Sequence, residues 1–135
     1  MSSSEYRRLG KFALVGAAGA VIDFAVFNLL RVGLDAPLVA ANILSVCCAI
    51  ASNFYWNRRW TFAEASGRAV TLPLTRFVTV SLIGLALNTG LLVLGVRLLP
   101  AWLTEPWRAN VAKAVAIGLV LIWNYLLNRH WTFRL

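Results

Sequence analysis

Acidic residues are scarce in this chain, with five Asp and Glu against thirteen Lys and Arg in 135 residues. Charged residues of both signs make up only 13%, about half the share found in soluble domains. Histidine occurs once, at His130, and the only two cysteines, Cys47 and Cys48, are neighbours inside an apolar run. Adjacent cysteines rarely bridge, because the linked geometry is strained. No His or second Cys pair stands at metal-ligand spacing, so the sequence calls for no metal and no cofactor. Catalysis is equally unsupported. No carboxylate pair shares a face, and no Ser-His or Cys-His arrangement is set at depth. The sequence is therefore not read as that of an enzyme.

What is abundant is apolar side chain, at 60% of residues and a mean hydropathy of +0.73. A soluble fold of this size has too much surface to hide that much apolar material. Lipid is the natural solvent. The formal net charge of +8 does not point to nucleic acid, because the cations sit between long apolar runs instead of along one polar face.

A membrane span needs about 20 mostly apolar residues. Four runs qualify: roughly Phe12 to Val32, Leu38 to Trp56, Phe77 to Leu99 and Ala109 to Leu127. The basic start leads directly into the first span, without the pattern of a cleaved signal peptide. Gly33 and Pro37 break the first turn, and Pro100 and Pro106 the matching later one. The expected fold is all-α, a single domain over 1–135 with four transmembrane helices. Lys and Arg cluster on one side, with Arg7, Arg8, Lys11, Arg58, Arg59, Arg68, Arg76, Arg129 and Arg134. By the positive-inside rule both termini and the middle loop are expected in the cytoplasm. Trp56, Trp60 and Trp131 then fall at the inner interface and Trp102 and Trp107 at the outer one, as aromatic belts do.

The sequence repeats itself. Asn53-x-x-x-Asn57-Arg58-Arg59-Trp60-Thr61-Phe62 closes span two. Asn124-x-x-x-Asn128-Arg129-His130-Trp131-Thr132-Phe133 closes span four. Upstream, Gly16-x-x-Gly19-x-x-x-Asp23 answers Ser81-x-x-Gly84-x-x-x-Asn88, and Ala41-Asn42 answers Ala109-Asn110. Repeat one covers about 8–62 and repeat two about 75–133. Each is a helical hairpin entered from the cytoplasm, so the two are parallel repeats.

Polar residues inside the spans are the candidate functional groups. Asp23 lies near the centre of span one, where a carboxylate costs about 2.5–3.5 kcal/mol on insertion scales. Such a group faces protein or water. It is either hydrogen-bonding glue between helices or part of a functional site, and Asn88 holds the same depth in repeat two. Asn42, Asn53 and Asn57 share one face of span two, and Lys113, Asn124 and Asn128 repeat that spacing in span four, one turn after Asn110. These stripes read as the wall of a hydrated groove. Lys113 either snorkels to the outer interface or supplies a cation to an anionic headgroup. Arg58, Arg59 and Arg129 beside Trp60 and Trp131 fit ordinary positive-inside anchoring. The recurring Asn-Arg pairs add a second reading, capture of phosphate by planar guanidinium forks.

On these motifs the chain resembles the GtrA-like family of small bacterial membrane proteins, over nearly its whole length from about Arg8 to Phe133. His130 departs from the symmetric pattern, standing where repeat one has Arg59. The resemblance implies residence in the bacterial cytoplasmic membrane. It also implies a role in cell-surface polysaccharide synthesis, moving a polyprenyl-phosphate-linked monosaccharide from the inner to the outer leaflet after a membrane glycosyltransferase has made it. On that reading Arg58, Arg59, Arg129, Asn57, Asn128 and Lys113 hold the headgroup phosphate, Asp23, Asn42, Asn53, Asn88, Asn110 and Asn124 line the path, and a homo-oligomer is expected because four helices make a thin wall. Two rivals remain: a non-transporting scaffold that recruits the glycosyltransferase, and a small multidrug exporter that uses Asp23 for proton exchange.

Overall fold

The computed structural model describes residues 2–61 and 71–127. It is all-helical over that range, with four α-helices: α1 (Ser3–Asn28), α2 (Leu38–Trp56), α3 (Thr71–Leu98) and α4 (Trp107–Leu127). A π-helical turn extends α1 over Leu29–Gly33 and another extends α2 over Asn57–Thr61. Among the described residues three stretches are long and apolar enough to cross a membrane: Ser3–Gly33, Leu38–Trp60 and Thr79–Leu98. α4 coincides with the fourth apolar run of the sequence. The chain divides within α3 into two compact units, residues 1–81 and 82–135.

α1 begins well before the apolar run that starts at Phe12. The cause is a capping box: the Ser2 hydroxyl accepts from the Glu5 amide at 3.3 Å, and the Glu5 carboxylate accepts from the Ser2 amide at 2.6 Å. Two orphan donors of the first turn are satisfied reciprocally, and a negative charge sits at the positive end of the helix. The polar segment Ser3–Gly10 is thereby helical although its residues have no reason to enter lipid. At the other end Asp35 adopts a left-handed conformation with φ 51°, which Asp tolerates better than most residues. The Ala36 amide returns to the Leu30 carbonyl at 2.8 Å, and Pro37 starts α2.

α1 and α2 pack along each other. They run antiparallel, since Gly19 meets Asn53 and Lys11 meets Trp60. In the second unit α4 folds back on α3, and a Cβ on Gly95 would lie 3.2 Å from that of Ala112. Ala109, Ala112 and Ala116 are buried on α4. Small side chains let helix backbones approach closely in a membrane, where dispersion and hydrogen bonding replace the hydrophobic effect.

Arg108 braces the turn between α3 and α4. Arg108 donates to four backbone carbonyls: Nε to Val96 at 2.9 Å, Nη2 to Leu99 at 2.8 Å, and Nη1 to Pro100 at 2.8 Å and Leu103 at 3.2 Å. Val96 belongs to the last turn of α3 and Leu99 follows it, so the guanidinium satisfies carbonyls that the helix cannot and places a positive charge at the negative end of its dipole.

Candidate functional site

The buried positions of α1 are Val15, Gly19, Asp23 and Phe27, four residues apart and therefore on one face. Asp23 is only 6% exposed. The buried positions of α2 are Ala41, Asn42, Ser45 and Ala49, again a single stripe. Asn42 and Ser45 are fully buried, and the Ser45 hydroxyl donates to the Asn42 carbonyl at 3.0 Å. That bond stays within the helix, so it satisfies the hydroxyl without using the Asn42 carboxamide. In the second unit Asn88 and Leu92 are buried on α3, and Lys113 is fully buried on α4 among alanines of the same stripe. Complete burial means that the Lys113 ammonium does not snorkel out to solvent along α4.

The remaining candidates are placed as follows. Asn53 is half-buried on α2, its carboxamide against Gly19 of α1. Asn57 and Arg58 are half-buried on the π-helical turn after α2, and Arg59 and Trp60 are exposed there. Asn110 is half-buried, and its Nδ2 donates to the Pro106 carbonyl at 2.8 Å, closing the first turn of α4. Asn128, Arg129, His130, Trp131 and Thr132 lie outside the described residues, and Asn124 is described in its backbone alone.

At the end of the first unit where α2 finishes, cations and aromatic rings interleave. The Arg59 guanidinium lies 5.2 Å from the Tyr55 ring centre, and the Tyr55 and Trp56 rings meet edge to face at 5.2 Å. Lys11 of α1 sits with its ammonium 5.3 Å from the Trp60 ring centre. A cation over an indole face is attracted by the ring quadrupole, by about 0.5–1 kcal/mol at an exposed site. The sequence marks Lys11 only as an orienting charge. Its place in this cluster follows from the antiparallel packing of α1 on α2, and the one signal in the sequence was the matched openings Lys11-Phe12 and Arg76-Phe77. No set of three or more His, Cys, Asp or Glu able to hold a metal occurs among the described residues.

Chemically, these parts offer two things. One is a set of hydrogen-bonding groups inside apolar helices, where lipid supplies no partners and a polar side chain marks a pathway or a tight helix contact. The other is a basic, aromatic-lined helix end suited to anions. Spanning helices with buried polar groups define a multi-pass membrane protein.

Comparison with known proteins gives the particular family. The GtrA/DPMS transmembrane-domain family matches residues 11–133, and the chain belongs to it. A dolichol-phosphate mannosyltransferase of Pyrococcus furiosus is 32% identical over 133 residues, covering 96% of this chain but 34% of the mannosyltransferase. This chain thus spans about a third of that relative. The uncharacterized membrane protein YngA of Bacillus subtilis is 31% identical over 134 residues, covering 94% of this chain and 80% of YngA. No solved structure matches.

Proposed function

We propose that this chain translocates a polyprenyl-phosphate-linked monosaccharide from the cytoplasmic to the outer leaflet of a bacterial inner membrane, for cell-surface polysaccharide synthesis or modification. In this reading α1 to α4 are four spans, arranged as two parallel-repeat hairpins with both termini in the cytoplasm. The observation that carries it is the burial of Asp23, Asn42, Ser45, Asn88 and Lys113 inside otherwise apolar helices. A polar headgroup needs such partners to leave water while its prenyl chain stays in lipid. Asparagine hydrogen-bonds sugar hydroxyls without trapping charge. The basic end built from Lys11, Arg58 and Arg59 suits the phosphate, with Arg129 as its counterpart in repeat two. Kinship with a protein named for a dolichol-phosphate sugar reaction supports the substrate class.

The test is transport of a lipid-linked sugar by the purified protein in proteoliposomes. R58Q combined with R129Q is expected to abolish it, and unchanged transport sinks the capture step. A second reading, a scaffold for a glycosyltransferase, is favoured by the relative in which this domain is only a third of a transferase chain. Transport by the purified protein alone excludes that reading, and co-purification of an active transferase with a transport-inactive chain supports it.

A further inference from the structure

Gly19 is buried on α1, and a Cβ built on it would lie 3.0 Å from both Cγ and Nδ2 of Asn53 and closer still to Oδ1. A real Cβ there forces the carboxamide, the far end of a flexible side chain, to move, so glycine is what lets it keep this seat. The Asn53 Oδ1 is itself buried, with no hydrogen-bond donor to it among the described residues. A buried acceptor left without a donor costs about 1–3 kcal/mol, of which a Cα–H···O contact returns only part. The chain therefore keeps an amide oxygen in the α1–α2 seam at some expense in stability. Gly16, one turn earlier on α1, meets nothing within 4 Å among the described residues.

We propose that Gly19 is a positioning residue for Asn53, seating the carboxamide so that its oxygen is held as a hydrogen-bond acceptor for a hydroxyl of the polar headgroup when the seam admits one. This deepens the translocation reading and rests on it for the ligand. Alanine at position 19 displaces the carboxamide; alanine at 16 meets no described side chain. Alanine at 53 removes the oxygen and, with it, the reason for a glycine.

The experiment compares G19A, N53A and the double variant G19A/N53A, with G16A as control, in proteoliposome transport and in thermal unfolding of the purified protein in detergent. G16A is expected within twofold of wild type. G19A and N53A are each expected to raise the half-saturating concentration of lipid-linked sugar about fivefold or more, and the double variant no further than N53A. G19A behaving like G16A overturns the proposal, as does G19A doing equal harm in the N53A background. If G19A is too unstable to purify, G19A/N53S is the second variant. Its shorter side chain vacates the space and keeps an oxygen, so recovery of the fold with part of the transport supports the seat and no recovery overturns it. A wild type that transports nothing ends the translocation reading. Unfolding then decides the seat alone: a G19A destabilisation that vanishes in the N53A background supports it, and additive destabilisation overturns it.

Discussion

The Arg108 guanidinium donates to the Leu99 carbonyl at 2.8 Å, and through its other nitrogens to Val96, Pro100 and Leu103. One side chain from the first turn of α4 thus closes the end of α3 and fixes the intervening turn. Lysine can supply the charge but not the planar fork that serves carbonyls in several directions. R108A is expected to destabilise the protein by about 2 kcal/mol or more, given about 1.5–3 kcal/mol for hydrogen bonds to charged groups. R108K should recover less than half of the loss. Thermal unfolding in detergent measures both, and an R108K variant as stable as wild type refutes the role assigned to the fork.

Lys11 and Lys113 are the only lysines in the chain, and their surroundings differ sharply. Lys11 is half-buried beside Trp60, whereas Lys113 is 0% exposed. A water-soluble amine reagent applied to the folded protein is expected to modify Lys11 and spare Lys113 until the protein is denatured, as read by peptide mass spectrometry. Equal modification of the two lysines in the folded state restores the snorkelling explanation of Lys113.

These cases mark both where the sequence is informative and where it is not. Polar residues within apolar runs stand out against their surroundings, so Asp23, Asn42, Asn88 and Lys113 are visible at once, and all four are buried. The Ser2 to Glu5 spacing likewise carries the early start of α1, although hydropathy alone places the helix from Phe12. What escapes is anything decided by packing between distant segments. Lys11 reaches Trp60 only because α1 lies on α2, and Gly19 gains its meaning only when Asn53 is laid against it. Arg108 reads as a loop charge until the turn is folded, because its acceptors are backbone atoms with no signature in side-chain type. The amide of Asn110 is a related case: the sequence places it on the wall of a groove, whereas its Nδ2 is tied locally to the Pro106 carbonyl.

Lys11 offers a test of the basic end of the first unit. Its ammonium is held over Trp60 and lies on the same side as the Arg59–Tyr55 pair by the antiparallel packing of α1 on α2. If this end receives an anionic headgroup, K11Q should raise the half-saturating concentration for lipid-linked sugar about fivefold, equivalent to roughly 1 kcal/mol, while leaving the maximal rate nearly unchanged. K11R should restore most of the affinity, and raising the salt concentration should narrow the difference between wild type and K11Q. A K11Q variant with wild-type half-saturation removes Lys11 from the headgroup site.

Asp23 separates shape from charge. It is 6% exposed on the face of α1 that also carries Gly19, and Asn88, which answers it in the sequence match, is 7% exposed. Asparagine has nearly the same volume as aspartate and is already accommodated at position 88, so D23N is expected to fold to wild-type yield with an unfolding temperature at or above that of wild type. Leucine in the same place removes the hydrogen-bonding capacity that joins polar groups across helices, and D23L should lower the folded yield, by an amount on the order of 1 kcal/mol per interhelical bond lost. Transport by D23N then isolates the carboxylate itself. A D23N protein that folds normally but transports at under a tenth of the wild-type rate assigns the charge a place in translocation. Wild-type transport by D23N confines Asp23 to holding the helices together, and poor folding of D23N makes the carboxylate itself a requirement of the fold.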